Sequence, residues 1–520
     1  MRFVMLLTQI KDESMTVTES IWAGRQQRAT LIGVCIACAM VPLDITILGV
    51  AVDSIGRELK ADFTQIEWIV NTHNLTFGSF LLTGGSLADR FGRRQMLCIG
   101  LCIFVILSLL YAFAKSALTL SLLRAAQGIG AAFLFSSATA VLANEFRGSS
   151  RPAAFGMLGS SLGVGLVLGP LLGGLLTSTV GWRWAFLINL PVGLAMLLLA
   201  VPRMRESRDS KASYVDWWGL VTFTISLFLL ILGLIEAPRI GWISAIVICS
   251  LIGFVVFIGL FFVVERIQRR GMFDLTLLHN PVFVGMLLLP IALGFGYVAL
   301  LIYLPIYFQG IGGYTPWQAG LVMMPLNLPV FIMPTISARL SLFVQPRKLL
   351  ALGFVCVGLG NLLMRPAIGS TDWKTFLGSL IVVGIGAGIV NGIMDSVAVS
   401  VAPPERSGMA TGIFNTMRPV GNAIGFAGAG AILVSVIQVV LPRLVSGKLN
   451  TFGTSFVANV EQVARGDISG AVALVPPTVQ LAFRDVATRS YTEALQAVLI
   501  VQAAICFIAA ILVFRLCRKK

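Results

Sequence analysis

The residues that could do chemistry are a few charges set inside apolar runs. Asp44 stands within Leu43-Asp44-Ile45-Thr46-Ile47-Leu48, and Arg124 within Leu123-Arg124-Ala125-Ala126-Gln127. A carboxylate in hydrocarbon is expensive and is functional by default. Burial favours the protonated form of a carboxyl, and a neighbouring guanidinium favours the ionised form. A group balanced between the two effects can load a proton on one side of a membrane and release it on the other. Counted along the expected helices, both residues lie about 10 Å below the same face, so they can meet directly or through water. Three readings stay open for Asp44: proton exchange, a permanent ion pair holding the bundle, or recognition of a cationic substrate. His73, a few residues into the second expected helix, is either a proton relay or a packed histidine.

A second constellation is the turn Gly84-Gly85-Ser86-Leu87-Ala88-Asp89-Arg90-Phe91-Gly92-Arg93-Arg94. Its glycines permit close backbone approach. Asp89 can accept a charge-assisted bond from Arg90, Arg93 or a helix N-terminus. Such a clamp could lock one transport state; the plainer reading is a basic loop with a helix cap. Gly165, Gly169 and Gly173 recur every four residues and form a smooth ridge for a neighbouring helix. Pro170 breaks the hydrogen bonding locally, and Gly174 adjoins the ridge. Asp395 and Arg418 form a second candidate pair, roughly 10 and 15 Å inside the opposite face, with a structural salt bridge as the plainer role.

The elements that position these groups are membrane helices. The 520 residues are 57% hydrophobic and only 12% charged, with a mean hydropathy of +0.91. A soluble domain would carry about a quarter charged residues. Apolar runs of about 20 residues recur, as a bilayer core demands, whereas a β-barrel would show shorter alternating strands. The net charge of +15 invites nucleic acid, yet the lysines and arginines sit in loops, so no nucleic-acid partner is expected. The eight cysteines lie in or beside apolar spans and read as packing residues. The opening Met1–Leu7 is too brief for a signal-peptide core.

The sequence is predicted to form an all-α polytopic membrane protein with fourteen helices at 29–51, 66–87, 96–114, 117–143, 153–178, 184–201, 215–236, 242–264, 282–307, 317–342, 348–365, 374–401, 408–440 and 492–514. With both termini on one side, that side holds Arg90, Arg93, Arg94, Arg203, Arg205, Arg266, Arg339, Arg347 and their neighbours. The excess over the opposite loops is about threefold, which places both termini in the cytoplasm. The expected organisation is a tail 1–28, a six-helix bundle 29–202, a linker with two extra helices 203–281, a second bundle 282–514 with an external loop 442–490, and a tail 515–520. Within that loop, Val479–Tyr491 is expected to form an amphipathic helix on the outer face, and a cap is the plain role for the loop. Glu405-Arg406-Ser407-Gly408 weakly echoes Glu145-Phe146-Arg147-Gly148. Two related bundles around a central pathway are a transporter plan.

Several stretches together resemble the major facilitator superfamily, and within it the fourteen-helix drug:proton antiporters of the EmrB/QacA type. They are Gly85–Arg94, Leu123–Ala132, Gly163-Val164-Gly165-Leu166-Val167-Leu168-Gly169-Pro170-Leu171-Leu172-Gly173-Gly174, the Asp44 segment, and Pro403–Gly408 with Asn415–Arg418. The chain departs from the family pattern at Ala51-Val52-Asp53, at His73-Asn74 and at Asp395. The resemblance implies a major facilitator fold and a gating role for Gly85, Asp89, Arg90, Gly92, Arg93 and Arg94. It implies that the ridge of Gly165, Gly169, Gly173 and Gly174 with Pro170 seals the half-to-half interface. It also implies a cavity lined by helices that carry Phe133, Phe135, Tyr297, Tyr303, Tyr307, Asn391 and Phe414, an aromatic lining suited to amphipathic compounds.

The expected function is therefore a secondary exporter exchanging protons for amphipathic or hydrophobic toxic compounds, not an enzyme. The alternatives are the same fold carrying an endogenous metabolite, and a sensor that has lost transport. No cofactor or metal is expected: a proton gradient supplies the energy, and Gly128-Ile129-Gly130 lies inside a span rather than in a phosphate loop. The expected partners are a small-molecule substrate and the lipid bilayer, with a periplasmic adaptor protein if the host is Gram-negative. The expected location is a plasma membrane, a bacterial inner membrane on the family's pattern.

Overall fold

The computed structural model describes residues 24–146, 150–208, 216–268, 275–341, 343–400, 407–445 and 456–516. It is all helical. The first half holds α1 (Arg25–Glu58), α2 (Phe63–Phe91), α3 (Arg93–Tyr111), α4 (Ala117–Glu145), α5 (Ser150–Thr179) and an interrupted α6 (Trp182–Arg203). A hairpin follows, α7 (Trp217–Ile240) and α8 (Ala245–Ile267). The second half holds α9 (Pro281–Gly310), α10 (Pro316–Val322 and Met324–Leu340), α11 (Pro346–Met364), α12 (Leu377–Ser400) and α13 (Ser407–Val445). Two short helices, α14 (Phe456–Ala464) and α15 (Ile468–Ala473), precede α16 (Gln480–Leu516).

Local sequence explains the ends. Asp62 accepts from the Gln65 amide, and the Gln65 side chain accepts from the Asp62 amide, a reciprocal cap that starts α2. Gly92 stops α2 with φ +120, a conformation that glycine adopts freely. Thr315 and Gln318 make the same reciprocal cap at α10.

Among the described residues twelve helices are long and apolar enough to cross a membrane, thirteen if the two parts of α10 count as one span. The expected count of fourteen is not reached on those grounds. The expected span 66–87 lies in α2, whose 29 residues include Asn71, Thr72, His73 and Asn74, too polar a set for that description. Other expectations also need correction. The span 317–342 is bent by 42° after Val322; the span 282–307 lies in one continuous helix, Pro281–Gly310, that widens into a π-type turn at Gly294–Val298. Val479–Tyr491 does not form a separate surface helix: α16 runs unbroken from Gln480 through the last span. The tail 1–23, Arg147 to Gly148, Pro403–Arg406 and the loop 446–455 lie outside the described residues.

In the first half α2 packs along α4 and α1 along α5; in the second α11 and α10 both pack on α12, and α13 on α16. The halves meet along three seams: α2 against α13, α1 against α9, and α5 against α10. The hairpin leans on α13 and α2, with Trp68 and Phe228 in ring contact at 5.6 Å. Glycines make the seams tight. A Cβ at Gly49 would overlap the Leu301 carbonyl, and one at Gly320 the Pro170 carbonyl. Three hydrogen bonds between the halves gather at the end carrying the 59–62 connection: Gln309 Nε2 to the Val50 carbonyl (3.0 Å), the Trp317 amide to Ser178 Oγ (3.0 Å), and Tyr303 Oη to Glu67 Oε1 (3.4 Å). The segment 456–479 closes over this end. A Cβ at Gly310 would overlap the Gly466 carbonyl, and Arg465 approaches Gly56.

Candidate functional site

Asp44 lies in the middle of α1 with no exposed surface, and Arg124 on α4 is 1% exposed. Arg124 Nη1 donates to Asp44 Oδ2 at 2.5 Å. Asp44 Oδ1 accepts from Asn189 Nδ2 (3.0 Å) and Gln127 Nε2 (3.3 Å). The same two amides donate to Ser108 Oγ at 3.2 and 2.9 Å, and Tyr111 Oη donates to Gln127 Oε1 at 2.6 Å. Arg124 Nε donates to the Ile69 carbonyl at 3.2 Å. Five helices thus converge: α1, α2, α3, α4 and α6. The pair is a direct, charge-assisted ion pair, and every donor around Asp44 favours its ionised form. In this conformation the carboxylate is walled off from water, so its network holds the first half together.

The equal depth of Asp44 and Arg124 was readable from the sequence. Gln127 was visible as the residue one turn beyond Arg124 on the same helix face. Asn189 carried a weaker signal, a lone amide in the apolar run Phe186-Leu187-Ile188-Asn189-Leu190. His73 is buried within α2, its ring beside Phe77 (6.2 Å) and Phe104 (6.5 Å). No hydrogen bond joins it to Asp44, so a direct relay between the two is not formed here.

The turn after α2 is a clamp within the first half. Arg93 Nε and Nη2 donate to Asp89 Oδ1 at 3.0 and 2.8 Å. Glu206, beyond α6, accepts from the amides of Arg94 and Gln95, both 3.1 Å, and so caps α3. Arg94 Nη1 reaches the Met204 carbonyl (3.2 Å), and the Arg93 amide reaches the Ser207 carbonyl (3.0 Å). Glu206 was read only as part of a charged linker; its role needs the chain to return to Gly92, which sequence spacing does not reveal. Arg90 is exposed and lies over the Phe91 ring at 5.2 Å. Of the glycines, Gly84 faces Ala132 and Ser136 and Gly92 faces Glu206, but Gly85 has open space around it. The expected close approach therefore fails at Gly85.

The glycine ridge also needs correction. Gly165, Gly169 and Gly173 pack against Ala39, Thr46 and Ile47 of α1, inside one half. Gly163, Pro170 and Gly174 reach the other half, at Phe331, Gly320 and Pro316. The sequence shows that small residues share a face; it does not show which neighbour they meet.

The seven aromatic and amide residues expected in a cavity are spread over both halves. Tyr307 is fully buried in the second half. Its hydroxyl donates to the Ser370 carbonyl (2.9 Å) and accepts from the Gly369 amide (2.8 Å), anchoring the 368–372 loop. Tyr297 Oη donates to Asn327 Oδ1 at 3.0 Å. Tyr303 sits in the α1–α9 and α2–α13 seams, and Phe135 packs edge-on against Phe77 at 5.9 Å. Phe414 is buried, with the Arg418 guanidinium 5.9 Å from its ring centre. Phe133 and Asn391 are half-buried. The Asp395 side chain lies outside the described residues, so its pairing with Arg418 is not placed.

Sequence reading missed Glu67. It is 2% exposed, on the second turn of α2, and faces the other half. Its position near a helix start, before Trp68, made it look like an ordinary acid at a helix N-terminus. Outside the spans, burial and the nearby Asp62 push the Glu461 carboxyl on α14 up, partly offset by Arg239 and Arg465. Among the described residues no cluster of acids, histidines or cysteines could hold a metal.

The chain matches a family model described as Major Facilitator Superfamily over residues 34–426. It is 30% identical to Multidrug resistance protein Stp of Mycobacterium tuberculosis, over 80% of this chain and 78% of that protein. It is 31% identical to Puromycin resistance protein pur8 of Streptomyces alboniger (89% and 92% covered), and 29% identical to the Tetracenomycin C resistance and export protein of Streptomyces glaucescens (93% and 89% covered). Its fold resembles a solved bacterial homolog of the human lysosomal transporter Spinster, with a TM-score of 0.64 and 15% identity over 95% of this chain and 98% of that one.

Proposed function

The chain belongs to the major facilitator superfamily, and from that premise we propose that it is a proton-coupled exporter of amphipathic or hydrophobic drugs, of the fourteen-helix kind. The membrane-transporter class, as opposed to an enzyme, follows from the family itself. Export of toxic compounds is supported by relatives named for multidrug, puromycin and tetracenomycin C resistance. The fourteenth crossing is α2, whose polar residues face protein rather than lipid: Asn71, His73 and Asn74 are all buried. The basic end carrying Arg90, Arg93 and Arg94 is cytoplasmic, as are both termini, and the membrane is a bacterial plasma membrane. The end joined by Gln309, Trp317 and Tyr303 is then the outer one. The second charged pair, Asp395 and Arg418, is a structural salt bridge near the cytoplasmic face.

The observation that carries the coupling is the sealed Asp44–Arg124 pair on the very helix that forms a seam between the halves. Gly49 and Val50, which touch Leu301 and Gln309 of the second half, lie about 9 Å further along α1 at 1.5 Å per residue. A proton on Asp44 removes the carboxylate charge, releases Arg124 and loosens α1 against α4. Because Asp44 has no exposed surface here, loading takes place in the other arrangement of the halves. As the outer ends close, the proton leaves to water on the cytoplasmic side before the site seals, and Arg124, Asn189 and Gln127 re-form their bonds to the ionised carboxylate. The Asp89–Arg93 clamp and the Glu206 cap stiffen the cytoplasmic turn that the first half carries as it rocks.

The test is transport in proteoliposomes holding the full chain, with an imposed pH gradient and a panel that includes puromycin and polycyclic aromatic antibiotics. Accumulation should follow the gradient for several amphipathic members. Transport that continues unchanged after the gradient is collapsed would overturn the antiport mechanism.

A further inference from the structure

Glu67 is a second acid buried in the first half, and the coupling scheme does not use it. It lies where the outer ends of the halves are joined, and its surroundings come largely from other elements. Tyr303 Oη on α9 is 3.4 Å from Glu67 Oε1 and 3.3 Å from the Phe426 carbonyl on α13. The Tyr303 and Phe426 rings stack at 5.0 Å. A Cβ at Gly430 on α13 would overlap the Glu67 carboxyl, so the bare glycine backbone forms the notch that receives it.

The notch holds no counter-charge. Among the described residues no cation forms an ion pair with Glu67. The charged groups nearby are Glu236 and Arg239 on α7 and Glu461 on α14, and Arg239 is shared between those two acids at 3.6 and 3.9 Å. An ionised carboxylate buried there would be uncompensated and costly. Counting hydrogens leads to the same place. Tyr303 has one hydroxyl hydrogen, and the Phe426 carbonyl can only accept. If that hydrogen goes to Phe426, the contact with Glu67 is a hydrogen bond only when Glu67 carries a proton.

We propose that Glu67 is a protonation-linked latch for the outer ends of the two halves. It enters the notch at Gly430 as the acid, donates to Tyr303 Oη, and Tyr303 donates to the Phe426 carbonyl. When the halves part, the carboxyl meets water and returns its proton to the same side. The latch therefore makes outer closure depend on external pH without supplying the transported proton. A cavity of about 50 Å³ lies one turn outward of Glu67, bounded by Thr64, Pro238, Arg239, Gln438 and Glu461. It has room for one or two waters, a route for exchange. The packed notch leaves no space for a drug. The proposal rests on the transport reading only in requiring a state in which these ends separate.

Spin labels at Val180→Cys and Lys374→Cys, exposed positions on opposite halves at this end, read the opening in a cysteine-free background of the reconstituted full chain. The readings are taken with Asp44→Asn and Arg124→Gln in place, which removes the proton that closing ejects at Asp44; there, closing that takes up one proton should change the open-to-closed ratio by up to about tenfold per pH unit, with closure favoured as pH falls. In that background, adding Glu67→Gln should close the ends equally at pH 5 and pH 8. A pH response after adding Glu67→Gln equal to that before it overturns the latch, as does no response before it; efflux is read on the unsubstituted chain. Tyr303→Phe keeps the ring stack but removes the acceptor, and covers the case in which Glu67→Gln is not recovered folded. It should raise the open fraction at pH 5 about tenfold, and an unchanged fraction counts against the latch. Gradient-driven efflux is recorded in parallel. pH-dependent closing without efflux keeps the latch and removes the exporter reading; efflux without pH-dependent closing does the reverse.

Discussion

Replacing Asp44 with Asn separates the strut from the coupling group. The substitution keeps the shape of the side chain and removes its charge. Arg124, 1% exposed, loses its counter-charge and keeps the Ile69 carbonyl as an acceptor. Removing one member of a buried ion pair costs about 3–5 kcal/mol. If the first half unfolds as a unit, that is a fall of roughly 10 °C in Tm, read by thermal unfolding in detergent. Asp44→Asn combined with Arg124→Gln removes the buried charge altogether and should regain most of that loss. A double-mutant cycle then gives a coupling energy of about 2–4 kcal/mol. The stable double variant should still fail to accumulate substrate under a pH gradient, because nothing remains at this position to load. Two results would refute the reasoning. Additive losses in the cycle would show that the pair is not coupled, and gradient-driven efflux in the double variant at the rate of the unsubstituted chain would remove Asp44 from the proton path.

Three further outcomes follow from the packing. Gly169→Ala forces a Cβ onto Thr46 and should cost about 1–3 kcal/mol, whereas Gly159→Ala, with open space around it, should leave Tm and yield unchanged; equal effects would contradict the ridge. Asp89→Asn breaks a half-exposed pair with Arg93 and should cost under about 1 kcal/mol, yet reduce the efflux rate with insertion intact; normal efflux would leave the turn as a simple basic loop. Tyr307→Phe frees the Gly369 amide and the Ser370 carbonyl and should cost about 1–3 kcal/mol while leaving substrate affinity unchanged. A changed substrate profile in that variant would return Tyr307 to the cavity wall.

Much of this molecule was legible in its sequence because a bilayer imposes strict terms. Backbone groups in lipid must bond within their own segment, so long apolar runs declare helices. Charges cannot be left there idly, so Asp44 and Arg124 announce themselves, and helical rise gives their depth. The sequence placed a span at 66–87, yet apolarity marks α2 less clearly than the other spans, because it carries Asn71, Thr72, His73 and Asn74. A helix wrapped by other helices can carry Asn71, His73 and Asn74 without penalty from lipid.

What the tertiary structure alone decided is which surface meets which. Periodicity placed Gly165, Gly169 and Gly173 on one face, but only packing showed that α1, not the opposite half, lies against it. Residues distant in the chain were brought to the ion pair at Asn189 and to the turn after α2 at Glu206. Glu67 became distinctive only when Tyr303 and Gly430 arrived from the other half and no cation came with them. A residue's type and spacing fix what it can offer. Its charge environment is the sum over neighbours from many helices, and a linear sequence does not list those neighbours.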